Sequence, residues 1–309
     1  MTGVNTMFTK YISALISVCV MLMVAALSQT AARAQDWDGG ITNPAAATPD
    51  SLATRATYVD LVTLAERSEL VVRVKIRRQT AVAPERSPGL APGFVRLYVE
   101  AETIALVAGA RGVSESVVYL VDVPLTEKGK APKLKKREML LLAKASGRGP
   151  KGESQLQLAN PSAQLAYSPV LESRLRPILT DLVSREAPPV VTGVADALAV
   201  AGTLAGESET QIFLATQEGS PVSITVLRRP AQPPAWGVSW GEIIDSAARA
   251  PEDETLPWYR LACALPETLP SSANLARDPS ARRLAASDYA YVMNALGPCA
   301  RAITKPPKA

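Results

Sequence analysis

Residues 68–78 read SELVVRVKIRR, and the alternation in this run decides the first half of the fold. Leu70, Val72, Val74 and Ile76 occupy every second position, between Val71, Arg73, Lys75 and Arg77. Successive side chains of a strand point to opposite faces, so the run predicts a β-strand with one buried face and one wet face.

Working outward, residues 57–67 (TYVDLVTLAER) place Leu61, Leu64 and Ala65 at helical spacing and predict a short helix leading into that strand. On the other side, residues 79–93 hold three prolines and two glycines and predict a long turn. Four further strands are expected, at about 94–107, 116–123, 138–143 and 153–159. The run at 116–123 is apolar on both faces for most of its length and so central to its sheet. Ser168 and Pro169 then read as the cap and first residue of a helix striped by Leu171, Leu175, Ile178, Leu179 and Leu182, which Pro177 should kink or split. The order of helix, five strands and helix predicts an α+β unit over residues 57–186, a five-stranded antiparallel barrel with flanking helices.

The combination of SELVVRVKI, a long loop and FVRLYVEAETIALVAG (94–109) resembles the opening of netrin-like modules, the oligonucleotide/oligosaccharide-binding (OB) type barrels that include the tissue inhibitors of metalloproteinases. The likeness covers about residues 57–160 and implies the barrel fold alone. The family's inhibitory activity requires an N-terminal cysteine and disulfides, and this segment has no cysteine, so no functional residue carries over. As a whole the chain also resembles exported bacterial proteins.

Glu186-Ala187-Pro188-Pro189 is the expected boundary to a second part, residues 187–309, read as a β-hairpin and three helices. Residues 190–201 form a weak strand pattern broken by Asp196, and the hairpin runs through 210–216 and 222–228. Residues 229–235 (RPAQPPA) read as an extended connection. Helices are expected at about 241–249, 255–265 and 279–296, the last capped by Asp278 and stopped by Gly297-Pro298.

The N-terminus has Lys10, an apolar run from Ile12 to Leu27 and the small-residue site Ala32-Arg33-Ala34, the parts of a secretory leader cleaved after Ala34. Residues 35–56 read as a flexible lead, in which Asp36 and Asp38 only faintly match a calcium loop. Loss of residues 1–34 removes Lys10 and Arg33 and no acid, leaving 31 basic against 29 acidic side chains over 275 residues. That balance argues against a dedicated nucleic-acid binder, and nothing beyond the leader is long and apolar enough for a transmembrane span. A periplasmic or secreted protein with a protein or envelope component as partner is expected. Cys263 and Cys299 remain in the mature chain, and in an exported protein the pair predicts one disulfide.

The chain contains no histidine, which excludes Ser-His-Asp and Cys-His catalysis and histidine-ligated metal centres. A carboxylate or Ser/Lys hydrolase remains the alternative, although no Ser-x-x-Lys spacing stands out; no catalytic residue, metal or cofactor is assigned. Gly147, Gly149 and Gly152 match GxGxxG, but with Pro150 inside and no helix following they read as a hairpin turn. Glu252, Asp253 and Glu254 form an acid cluster that suits a helix start.

Two patterns point to binding. Trp236, Trp240, Trp258 and Tyr259 either stack on a sugar or a proline-rich peptide or build the core. Lys128, Lys130, Lys133, Lys135, Lys136 and Arg137 either meet an anionic partner or form a solvated loop that keeps a sheet edge from pairing. The expectation is thus a non-catalytic binding or envelope-associated protein.

Overall fold

The computed structural model describes residues 48–161, 163–241 and 248–304. The leader, the Asp36/Asp38 turn and the core of the expected helix at 241–249 lie outside the described residues. The elements are α1 (Pro49–Arg55), α2 (Tyr58–Glu66), β1 (Leu70–Ala81), β2 (Phe94–Gly109), β3 (Ser116–Pro124), β4 (Glu138–Arg148), β5 (Ser154–Leu158), β6 (Gln164–Ala166), α3 (Pro169–Val183), β7 (Val191–Ala201), β8 (Ser208–Thr216), β9 (Val222–Arg228), β10 (Ala235–Ser239), α4 (Leu256–Ala262) and α5 (Pro279–Leu296). Helix α1 falls within the stretch read as a lead, and α3 runs through Pro177 as a single helix.

Strands β1 to β5 close into a barrel in the cyclic order β1-β2-β3-β5-β4, with β6 added beside β4. The barrel is mixed, which corrects the expectation of a purely antiparallel one: Val117–Tyr119 of β3 run parallel to Ser154–Leu156 of β5. The reason lies in the segment between β3 and β4. It crosses the barrel end, so β4 pairs with β1 (Leu70↔Ala143 to Lys75↔Glu138) and its hairpin partner β5 is laid beside β3 in the same direction. Period-two patterning fixes which face of a strand is buried and carries no information about neighbour or direction.

The barrel is filled by the alternating set read from residues 68–78, Val72, Val74 and Ile76, together with inward residues such as Leu97, Val99, Tyr119, Val121, Met139 and Leu141. The outer face of β1 and β4 is not uniformly wet. Val71, Leu140 and Leu142 belong to a second core built from α2, α3, α4, α5 and the second sheet. Residues 59–65 of α2 are all buried, so this helix is the axis of the second core. Residues on both sides of 186 enter that core.

The expected hairpin β8–β9 is the middle of a four-stranded antiparallel sheet, β10-β9-β8-β7. The weak pattern at 190–201 is strand β7, with register shifts at Val191/Gly193 and Val194/Asp196. Those irregularities blur the alternation in sequence. Helix α5 packs on one face of this sheet, and the Cys263–Cys299 disulfide joins the end of α4 to the residue after Gly297-Pro298. Gly237 in β10 is needed for close approach, because a Cβ there would lie 2.1 Å from the backbone oxygen of Ala248.

Candidate functional site

Burial of α2 forces its polar residues to find partners, and their arrangement leads to a cleft. Asp60, Thr63 and Glu66 follow one another at three-residue spacing on one stripe of the helix. Asp60 is fully buried. Its Oδ2 accepts from Thr57 N (3.0 Å), Ala302 N (2.9 Å) and Ile303 N (3.2 Å), and its Oδ1 from Thr304 N (2.8 Å) and Thr304 Oγ1. Burial alone would raise this carboxyl's pKa, yet the donors from Thr304, Ala302 and Thr57 outweigh it and hold the pKa below the ordinary aspartate range. One turn on, Thr63 Oγ1 accepts from Arg301 Nη1 at 2.6 Å and shares a hydrogen bond with the Tyr259 hydroxyl at 3.2 Å. Tyr259 donates to Glu66 Oε2 at 3.0 Å, and Arg260 makes a close ion pair with Glu66 Oε1. Burial raises the Tyr259 pKa, with Glu66 adding to it.

This polar chain ends at the floor of a cleft of about 880 Å³. Its walls are the end of α2, the start of β1, the end of β2 and the last turns of α3, with Leu70, Val71, Leu179, Leu182, Val183 and Val190 as the apolar lining. Val183 is 83% exposed, which is high for an aliphatic side chain at the rim of a concave surface. Arg260 is only 8% exposed, is fixed by Glu66 and by donation from Nε to the Pro188 carbonyl at 3.3 Å, and still lines the cleft. No local pattern marks this site, because Glu66, Val183 and Arg260 come from three distant stretches of the chain.

The residues singled out from sequence do not converge on the cleft as a group. Trp258 is buried and donates from Nε1 to the Leu296 carbonyl at 2.8 Å, and Tyr259 is buried in the polar chain just described. Trp236 and Trp240 are half-buried against the second core. Cys263 and Cys299 are bonded. Lys128, Lys130, Lys133, Lys135 and Lys136 are exposed on the loop between β3 and β4, while Arg137 is half-buried and paired with Asp50. Gly147, Gly149 and Gly152 lie in the β4–β5 hairpin. Glu252, Asp253 and Glu254 precede α4, whose N-cap is Thr255.

A second buried carboxylate, Asp288 of α5, accepts from Arg228 Nε at 2.6 Å and from the Thr210 hydroxyl, and so locks α5 to the second sheet. Among the described residues no group of three or more Cys, Asp or Glu side chains is placed to hold a metal ion, and no helix is long and apolar enough to cross a membrane. No protein-family model matches the chain, and no curated protein matches it.

Proposed function

We propose that this is an exported, non-catalytic binding protein acting in the periplasm or outside the cell, and that an apolar ligand or apolar polypeptide segment occupies the cleft between α2, α3 and the β1–β2 end. The observation that carries this reading is the lining of the cleft. Leu70, Val71, Leu179, Leu182, Val183 and Val190 supply an apolar wall beside a polar side of Ser68, Glu69, Gln217 and the Glu66–Arg260 ion pair, in which the buried Arg260 is compensated by a solvent-accessible Glu66, an arrangement suited to orienting a ligand. A hydrolase site instead needs a base beside a nucleophile; the cleft hydroxyl, Ser68, donates to the Leu64 carbonyl at 2.7 Å rather than to Glu66 or Glu69, which supports binding over the carboxylate or Ser/Lys alternative. The disulfide supports export. The cyclic order β1-β2-β3-β5-β4 with its parallel β3–β5 contact supports an OB-like assignment of the barrel, in keeping with the netrin-like resemblance.

A neutral apolar fluorophore such as N-phenylnaphthylamine tests the cleft. Saturable binding that weakens about ten-fold in Val183→Asp is expected, since roughly 1.5 kcal/mol of apolar contact is lost. Binding left unchanged by Val183→Asp and Leu182→Asp would remove the cleft from consideration.

A further inference from the structure

We propose that the barrel end formed by residues 84–93 and 124–137 docks on a phospholipid surface bearing anionic headgroups. This goes beyond ligand binding in the cleft and does not depend on it. Residues 124–137 carry five lysines, Arg137 and a single acid, Glu127. Arg137 is taken up by Asp50, whereas the five lysines are exposed and make no ion pair among the described residues. The mature chain as a whole is nearly balanced, so its positive charge is concentrated at this end.

The loop is not a loose tether. Leu134 is buried in the barrel core and plugs that end. Gln79 of β1 clamps the backbone on both sides of Lys133, accepting from Leu134 N at 2.6 Å and donating to the Pro132 carbonyl at 2.7 Å. Lys136 N donates to the Ile76 carbonyl at 2.8 Å, and Ile76 N to the Arg137 carbonyl at 2.9 Å. The backbone that carries the lysines is therefore ordered before any partner arrives, which lowers the entropic cost of docking. Protection of a sheet edge does not account for these charges, because β1 and β4 are paired beside the loop up to Lys75↔Glu138.

The neighbouring surface decides between anionic partners. Residues 88–93 (PGLAPG) are uncharged and mostly exposed, and the Gly93 carbonyl accepts from Leu125 N at 2.8 Å, which ties this tip to the lysine loop. Lysines around a small apolar tip suit a bilayer interface, where ammonium groups meet headgroups and Leu90 with its prolines enters the boundary. A nucleic-acid strand instead needs a cationic track with stacking faces. Neither loop contains an aromatic residue, and along the adjoining barrel wall Arg77, Arg78 and Arg96 are paired with Glu102, Glu100 and Asp122.

Co-sedimentation with vesicles tests the proposal. The protein is expected to pellet with phosphatidylcholine vesicles containing phosphatidylglycerol and to stay in solution with phosphatidylcholine alone. Raising salt from ~0.1 M to ~1 M, which shortens the screening length from about 10 Å to about 3 Å, should release it. The triple change K133Q/K135Q/K136Q is fully on the surface; with an unchanged melting curve it should lower partitioning ~100-fold, at about five-fold per lysine. Leu90→Ser should weaken it further without altering the salt dependence. The idea is overturned by equal binding to both vesicle types, by full partitioning of the triple variant, by release with millimolar inorganic phosphate, or by tighter binding to a single-stranded oligonucleotide than to the anionic vesicles. The cleft reading survives each of these results, because the fluorophore assay reads a different surface.

Discussion

At the residue scale Asp60 is the most consequential side chain outside the two apolar cores. A single carboxylate satisfies three backbone amides of the C-terminal segment and caps α2 through Thr57, so it fastens residues 300–304 to the central helix. Asp60→Asn keeps one acceptor and loses the charge, and should cost about 3 kcal/mol by denaturant unfolding at neutral pH. The pH dependence has a definite sign. The folded-state pKa lies below the unfolded value of about 3.9, so the contribution is complete above that value and is lost as pH falls through the folded pKa. The stability gap between wild type and Asp60→Asn should therefore be widest near pH 7 and narrow below about pH 4. A gap that stays constant down to acid pH would mean that the charge of Asp60 contributes nothing. Tyr58 shows the opposite kind of shift: burial, reinforced by Asp181 and Glu254, pushes its hydroxyl up to about 12, so it stays neutral throughout the working range.

At the scale of elements, the loop between β3 and β4 behaves as part of the barrel. Leu134→Ala should cost about 2–4 kcal/mol, a core-sized loss from a position that reads as loop in sequence. A loss below about 0.5 kcal/mol in thermal or denaturant unfolding would show that Leu134 does not plug the barrel. This loop also marks the limit of what was legible. The run of lysines predicts solvent exposure correctly, but the single leucine among them gives no periodicity by which a plug can be recognised. The strands β1 to β5 were readable because each holds a stretch of two-residue alternation or an apolar run, even though β1 and β2 pair with register shifts of their own. Strand β7 was blurred by its register shifts, and β10 was hidden because only five residues follow a proline-rich stretch. Strand direction was not legible at all, since Val117–Tyr119 present the same side-chain pattern to a parallel as to an antiparallel neighbour.

At the scale of the whole molecule, β1 and β4 are shared walls: their inward residues fill the barrel, and Val71, Leu140 and Leu142 on their other face close the second core. The cleft exists because α2, α3 and α4 meet this wall at one corner, and that meeting depends on contacts between residues far apart in sequence. Alternation alone therefore could not place it. The disulfide fastens the α4 and α5 side of the same core. The double change Cys263→Ser/Cys299→Ser should lower unfolding free energy by up to about 4 kcal/mol, from the lost constraint on the unfolded chain. The barrel should remain intact by near-ultraviolet and far-ultraviolet circular dichroism, whereas loss of all fixed structure would show that the barrel has no stability apart from the second core.

Both proposed surfaces rest on a barrel that is closed along β1 and β4 and carries the lysine loop as a rigid end plate. Amide hydrogen exchange of the purified protein, read by peptide, tests this most directly. The account predicts slow exchange for residues 70–75 and 138–143, paired on both sides of the seam, and measurable protection at Leu134, Lys136 and Arg137, whose amides donate to Gln79, Ile76 and Leu134. Exchange of residues 134–143 at the rate of an unstructured chain would contradict it.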